Sequence, residues 1–458
     1  MADYHKTIAA ISTPPGMGAV GMVRISGPEA PAVGRRVFRP MDSSRTLDKL
    51  SGYTGCLGRV FDSKGDIDEA VAFVYLAPKS YTGEDVIELC CHGGGFLLSR
   101  VLQACLAAGA VPAAPGEFTK RAFLNGKLTL DRAESVMGLV SAHCEGAARA
   151  ALAARDGALT TEIGGCADQL INLAAHLAAW VDYPEEDIPQ VEEAALGRTL
   201  AEVAARLQAL ADGFGRGRIL REGVDTVLAG RPNVGKSTLM NTLSGCPRSI
   251  VTEIPGTTRD VVEDTVRLGS LVLRLSDTAG LRQTNDPIEQ AGVALTNSRL
   301  ESCDLVLALF DGGKPLEQED LELLERMKGR LCIGVVNKAD LPPLLDTAPL
   351  SKALPSVVEL SAKTGEGVSR LEEEITRLLG LARLDPAAPL LHTHRQLDCV
   401  NRALGELGEA AAALAQGQTL DALSVCVDSA IDALLELTGQ RASAAVVDRV
   451  FHNFCVGK

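Results

Sequence analysis

The chain has 458 residues, 46% of them hydrophobic, and a formal net charge of −14 from 45 basic and 59 acidic side chains. That length allows roughly two to four domains with separate cores, and the apolar share is too high for a disordered chain. The acidity argues against a surface that grips nucleic acid all over, although a local basic patch survives that objection.

No long apolar run is present, so no transmembrane span is expected. The opening residues Met1-Ala2-Asp3-Tyr4-His5-Lys6 lack the layout of a signal peptide. The 12 cysteines include no Cys-x-x-Cys and only one adjacent pair, Cys90-Cys91. Scattered in this way through apolar segments, they read as free thiols of a reducing compartment, not as a disulfide scaffold or a zinc site. A cytoplasmic protein is the expectation.

In chain order, TIAAIS (residues 7–12) and VGMVRIS (20–26) read as strands around a Pro/Gly loop, with EAVAFVYLA (69–77) and DVIELCC (85–91) as further strands. FLLSRVLQACLAAG (96–109) has helical periodicity, and Gly109 is placed to cap it. HGGG (92–95) resembles part of an esterase oxyanion hole, but the chain has no Gly-x-Ser-x-Gly, so close backbone packing is the better reading.

From Glu117 the chain turns helical. Leu170, Leu173, Leu177 and Trp180 share one face, as do Leu200, Val203, Leu207 and Leu210, and between them VDYPEEDIPQVEE (181–193) reads as a solvated acidic linker. From Gly223 apolar strands alternate with helices: DTVLAG, LVLRLSD, DLVLALFD, LCIGVVNKAD and SVVELSA. That pattern predicts a parallel-rich sheet covered on both faces. After residue 381 helical spacing resumes through Leu397, Val400, Leu404 and Leu407, then Leu423, Val427, Ala430, Leu434 and Leu437. The α/β unit is therefore read as an insertion into one helical domain.

GRPNVGKST (230–238) fits Gly-x4-Gly-Lys-Ser/Thr between a strand and a helix. Its glycines let backbone N–H groups face phosphate oxygens, Lys236 would neutralise the β- and γ-phosphates, and Ser237 would ligate magnesium. Four further elements follow in order. GTTRD (256–260) offers Thr258 as a second hydroxyl for the metal. DTAG (277–280) offers Asp277 to the metal shell and the Gly280 N–H to the γ-phosphate. Asp340 of NKAD (337–340) can accept two hydrogen bonds from guanine, a donor pair adenine lacks. SAK (361–363) offers a backbone N–H to the guanine oxygen. The residue after DTAG is Leu281, where Ras-like GTPases carry the glutamine that orients water, so the water must be held from elsewhere.

With TPPGMGAVGMVRISG, YTGEDVIEL, CHGG, PGEFTKRAFLNGKLTLDRAE, DYPEED and the terminal FCVGK added to these motifs, the chain resembles the tRNA-modification GTPases (MnmE/TrmE) along nearly its whole length. The resemblance implies a multidomain α/β and α+β fold. Its parts would be a folate-binding-like N-terminal α+β dimerisation domain (1–124), a helical-bundle domain in two halves (125–221 and 383–458), and an inserted Ras-like P-loop GTPase domain (222–382).

On this resemblance the GTP-binding set is Asn233, Val234, Gly235, Lys236, Ser237 and Thr238, then Thr252, Glu253, Ile254, Pro255, Gly256, Thr257 and Thr258. It continues with Asp277, Thr278, Ala279 and Gly280, then Asn337, Lys338, Ala339 and Asp340, and closes with Ser361, Ala362 and Lys363. Potassium-dependent dimerisation of the GTPase domains would activate hydrolysis, with Asn233, Thr252, Ile254 and Thr257 on the ion. Glu289 would take the catalytic role that Leu281 cannot, whereas Arg259 and Arg282 are expected to form surface ion pairs. Arg24, Glu88, Lys127 and Lys458 match contacts to 5-formyl- or methylene-tetrahydrofolate. The terminal Cys455 matches a cysteine important for the modification.

The function so implied is addition of a carboxymethylaminomethyl or aminomethyl group to the C5 position of the wobble uridine of certain tRNAs. The enzyme would be a homodimer through its N-terminal domain and form a heterotetramer with a flavin- and NADH-dependent protein of the MnmG family. A regulatory, ribosome-assembly type of GTPase acting by binding alone is the competing class. The net charge of −14 favours it mildly, and the segments outside the GTPase motifs oppose it.

Overall fold

The computed structural model describes residues 5–182, 193–245, 264–269, 271–277, 299–300, 302–382, 385–452 and 454–457. The acidic linker expected within 181–193 lies almost wholly outside them. The chain forms two compact units, one of residues 1–137, 160–204 and 398–458, the other of 138–159 and 205–397.

The first unit holds a seven-stranded sheet of β1 (Ile8–Ile11), β2 (Gly18–Ser26), β3 (Phe38–Pro40), β4 (Thr54–Asp62), β5 (Gly65–Tyr75), β6 (Val86–Gly93) and β7 (Val111–Pro112), in the order β3-β4-β5-β6-β2-β1-β7. All neighbours are antiparallel except β1 and β7. Period-two alternation sends Val23, Ile25, Ala72, Val74, Ile87 and Leu89 to one face, where the helices Ala30–Val37 and Gly95–Ala107 cover them with Val33, Val37, Leu98 and Val101. Gly109, at φ +111, follows the second helix as the left-handed residue its sequence position predicts. The opposite face carries Arg24 and Glu88, directly opposed on β2 and β6, and at its β1 end Ile8 and Ala10 pack with Phe118.

The helices of the same unit use the apolar stripes read from the sequence. Leu170, Leu173, Leu177, Leu200 and Val203 are buried, as are Val400, Leu407, Leu423, Val427, Leu434 and Leu437. Leu130 and Ala133 pack with Val447, Phe451 and Phe454, so residues that open the helical stretch meet residues that end it.

In the second unit β8 (Val224–Ala229), β9 (Asp264–Leu268), β10 (Leu271–Asp277), β11 (Leu305–Asp311), β12 (Cys332–Asn337) and β13 (Ser356–Glu359) form a sheet of order β13-β12-β11-β8-β10-β9. Only the β9–β10 edge is antiparallel. Along β11, Leu305, Leu307 and Leu309 enter one core with the helices Lys236–Ser244 and Val368–Leu378, while Val306, Ala308 and Phe310 enter another with the helices Gln318–Met327 and Ala348–Ala353. Burial on both faces explains why these strands read as continuous apolar runs. The helix Glu193–Glu222 meets this sheet through the single residue Gly223. One turn before its end, Arg218 is ion-paired with Asp304, whose other carboxylate oxygen accepts from the Asp225 N–H at 3.0 Å.

Among the described residues, no helix is long and apolar enough to cross a membrane. Of the described cysteines, Cys91, Cys105, Cys144, Cys166, Cys332 and Cys399 are buried, and burial pushes the thiols of Cys91, Cys105 and Cys332 up to about 12, so these pack as small apolar groups.

Candidate functional site

The phosphate loop runs from the end of β8 into the helix Lys236–Ser244. Gly230, Asn233 and Gly235 take φ of +153, +64 and +102, which curls the backbone around a concavity at the helix N-terminus. A Cβ on Gly235 would lie 2.2 Å from Asn337 Nδ2, so the approach of the loop to β12 requires glycine there. Val234 is buried beneath the loop, whereas Asn233, Ser237 and Thr238 are exposed at its mouth. The Lys236 amine rests on the loop itself, donating to the carbonyls of Gly230 at 2.6 Å and Arg231 at 3.0 Å. The sequence reading places this lysine on phosphates; in the structure its buried amine is held by these two loop carbonyls.

Asn337, nearly fully buried at the end of β12, ties three of the sequence motifs together. Its Nδ2 donates to the Val234 carbonyl at 2.8 Å, and its Oδ1 accepts from the N–H groups of Lys338 at 2.8 Å and Ala362 at 2.9 Å. Beside it Lys338 adopts φ +68 and donates to Asp311 Oδ2 at 2.6 Å. Burial pushes the Asp311 carboxyl up, but the Lys338 ammonium and the Gly313 N–H outweigh it and hold the group below the usual range.

Ser361 is fully buried and donates through Oγ to Asp340 Oδ1 at 2.7 Å, which holds the Asp340 carboxyl below its ordinary value. Ala339 donates its N–H to the Leu360 carbonyl, so the NKAD and SAK segments are laced side by side, with Lys363 and Asp340 left exposed. Asp340 thus presents an ionised carboxylate with one oxygen already oriented.

A latch that the sequence did not disclose anchors the loop from behind. Arg231 pairs with Asp320 Oδ1 at 2.8 Å and with Glu317, both at the start of the helix Gln318–Met327. Asp320 is almost fully buried, and its Oδ2 also accepts from the Glu317 N–H as half of a capping box. Asp311 and the Arg231 latch are the site residues that motif reading missed. Asp311 had one legible signal, its place at the C-terminal end of a buried parallel strand.

Of the remaining GTP-site candidates, Asp277 closes β10 beside Leu228 of β8. Thr252, Glu253, Ile254, Pro255, Gly256, Thr257, Thr258, Thr278, Ala279, Gly280 and Glu289 lie outside the described residues, as do Leu281, Arg259 and Arg282.

In the first unit Arg24 Nε donates to Glu88 Oε1 at 2.8 Å, and the guanidinium lies 5.6 Å from the Tyr81 ring centre and 5.5 Å from that of Phe118. An aromatic floor with a part-buried guanidinium–carboxylate pair suits a flat heterocycle that carries both donors and acceptors. Lys127 donates to the Pro78 carbonyl at 3.0 Å, and its stem lies against Gly83. Lys458 lies outside the described residues. Cys455 is exposed, and its carbonyl accepts from the Gly116 N–H at 3.3 Å; a Cβ on Gly457 would lie 2.2 Å from the Ile11 carbonyl. The terminal motif is thus packed against β1 and the loop before the helix Glu117–Leu124.

A glycine-curled phosphate cradle at a helix N-terminus, with an ordered carboxylate at the ends of the neighbouring parallel strands, defines a P-loop guanine-nucleotide domain of the Ras-like kind. A family model described as the MnmE helical domain matches residues 130–455, and one described as the GTP-binding protein TrmE N-terminus matches residues 7–127. The tRNA modification GTPase MnmE of Symbiobacterium thermophilum is 44% identical over 458 residues, covering 99% of this chain and 100% of its own. That of Heliobacterium modesticaldum is 40% identical over 463 residues, covering 99% of each. Among solved structures, the G domain of the T. maritima FeoB iron transporter is 29% identical, covering 34% of this chain and 98% of its own at a TM-score of 0.27. The chain belongs to the tRNA modification GTPase MnmE family.

Proposed function

We propose that this chain hydrolyses GTP as part of a tRNA-modifying complex. With a flavin- and NADH-dependent protein of the MnmG family it would add a carboxymethylaminomethyl or aminomethyl group at C5 of the wobble uridine. The observation that carries the nucleotide half is the Asn337 side chain, which joins the phosphate loop to both guanine-reading segments in one hydrogen-bonded unit. Relatives matched from end to end support the tRNA half over a binding-only GTPase.

Asp340 reads guanine, and the loop N–H groups with Lys236 meet the phosphates. Ser237, exposed in the first helical turn, and Thr258 would hold magnesium, which adds positive charge across the phosphates. Asn233, exposed at φ +64, would join Thr252, Ile254 and Thr257 in holding potassium between paired GTPase domains. Glu289 would orient the water. The exposed Val20, Leu57 and Phe73 on the sheet of the first unit support dimerisation through that domain. The Arg24–Glu88 pair on its aromatic floor supports a reduced folate as the one-carbon source, with Lys127 and Lys458 completing the set and Cys455 serving the modification. Such a complex would work in the cytoplasm.

The test is GTP turnover in potassium against sodium at equal ionic strength, with Asn233→Ala and Glu289→Ala alongside. Strong potassium stimulation that Asn233→Ala removes, and near-complete loss of turnover in Glu289→Ala, are expected. Equal turnover in the two salts would reject the ion site.

A further inference from the structure

We propose that Asp311 is a positioning residue for the guanine nucleotide, holding the Lys338 side chain as a preformed apolar strip for the face of the base. The inference rests on the guanine-nucleotide reading above and extends it to a residue outside that binding set. Asp311 ends β11 directly beside Asn337, the last residue of β12, and is buried. Its two oxygens have separate tasks. Oδ1 accepts from the Gly313 N–H at 3.0 Å, and Oδ2 accepts from the Lys338 ammonium at 2.6 Å.

Lys338 follows β12 in a left-handed conformation, at φ +68, and its side chain is 31% exposed. With its amine fixed on Asp311, the four-carbon stem runs from the end of β12 to the end of β11, along the C-terminal edge of the sheet, where open α/β folds bind their ligands. Asp340, two residues further on, is exposed and carries the carboxylate that the nucleotide reading puts on the guanine edge. A planar ring whose edge meets Asp340 needs a surface for its face, and the partly exposed methylenes of Lys338 supply one. An untethered lysine would have to be ordered as the nucleotide binds, a loss of rotamer freedom that the ion pair takes in advance. The loop itself is placed by main-chain bonds: the Gly312 N–H donates to the Asn337 carbonyl at 2.8 Å, and the Gly312 carbonyl accepts from the Leu344 N–H at 2.9 Å. The charge facing Lys338 therefore orients a side chain and is not needed to place the loop.

The experiment measures GDP affinity, by fluorescence of a labelled nucleotide, on the full chain and its Asp311→Asn, Lys338→Ala and doubly substituted variants. Asp311→Asn keeps an acceptor for the Gly313 N–H and turns a donor toward the ammonium. It should fold with the loop in place and bind GDP about tenfold more weakly. Lys338→Ala breaks the same pair from its other end and should lose at least as much. In the double variant the two losses should not multiply, because Asp311 acts only through Lys338; an aspartate that merely supports the fold would cost the same in both backgrounds. Wild-type affinity in either single variant, or losses that multiply in the double one, would overturn the positioning role while leaving the nucleotide reading intact. Failure of the wild type to bind any guanine nucleotide would sink the nucleotide reading, and the positioning role with it.

Discussion

Asn337 Nδ2 lies 2.8 Å from the Val234 carbonyl, so a side chain of the NKAD motif holds the middle of the phosphate loop. On the proposed reading, the segments that meet base and phosphate are consequently one hydrogen-bonded unit. Asn337→Ala leaves the Val234 carbonyl and the N–H groups of Lys338 and Ala362 without their partner in a buried place, at about 1–3 kcal/mol for each group left unpaired. Affinity for GDP and GTP should fall at least tenfold together, read by fluorescence of a labelled guanine nucleotide. A loss confined to GTP would argue against a shared scaffold.

Gly235→Ala combines a left-handed backbone with a methyl group 2.2 Å from Asn337 Nδ2. The backbone strain alone is about 1–3 kcal/mol, and the displaced amide adds to it. Thermal unfolding should shift down and nucleotide binding should vanish. Normal binding in this variant would show that loop and strand part more easily than the geometry implies.

Asp340→Asn replaces an acceptor pair by an acceptor and a donor. Guanine N1–H and N2–H₂ then face an N–H, whereas xanthine, with a carbonyl at C2, fits. GTP affinity should drop by about a hundredfold or more and XTP affinity should rise. Competition of the two nucleotides for the variant decides the matter.

Asp340 also sets a pH limit. The Ser361 hydroxyl holds its folded-state carboxyl below the ordinary aspartate value of 3.8. The ionised group therefore contributes fully above that value, and its contribution is lost only as pH falls through the lowered one. Ser361→Ala removes the hydrogen bond, so the acid limb of guanine-nucleotide affinity should move to higher pH. Titration from about pH 6 to about pH 2, through and below the ordinary carboxylate range, compares the two proteins. Superimposable limbs would deny Ser361 this role.

The Arg231–Asp320 latch predicts that Asp320→Ala destabilises the GTPase unit by about 1–3 kcal/mol, because it removes the buried partner of Arg231, leaving Glu317 alone, and takes away half of the capping box. Arg231→Lys should recover little, since one ammonium cannot span both Asp320 and Glu317. Denaturant midpoints measured on the three proteins provide the check.

The division between what was legible in the sequence and what was not follows the range of the interaction. The fold class was legible, because apolar runs such as DLVLALFD and alternating stretches such as VGMVRIS carry their burial in their own periodicity. β4 was obscured by Gly55 and Gly58, which weaken strand propensity. The structure explains both: a Cβ at Gly55 would lie 2.8 Å from the Phe73 ring and one at Gly58 2.4 Å from that of Phe38. The helix Ala30–Val37 was also missed, being only 8 residues long. The phosphate loop and NKAD were legible because their residues are close in sequence. The latch was not, because Arg231 and Asp320 meet across 89 positions.

The junction at Gly223 bears on how this molecule can be taken apart. A fragment begun at Val224 would keep every strand of the nucleotide sheet, yet Asp304 would lose Arg218, its ion-pair partner, and stand next to the carboxylate of Asp225. A cut made near residue 205 retains the last turns of the helix and with them the counter-charge. Nucleotide-binding fragments of different lengths would then differ in robustness for a reason unrelated to their phosphate loop, and an unstable short fragment would say nothing against the site it carries.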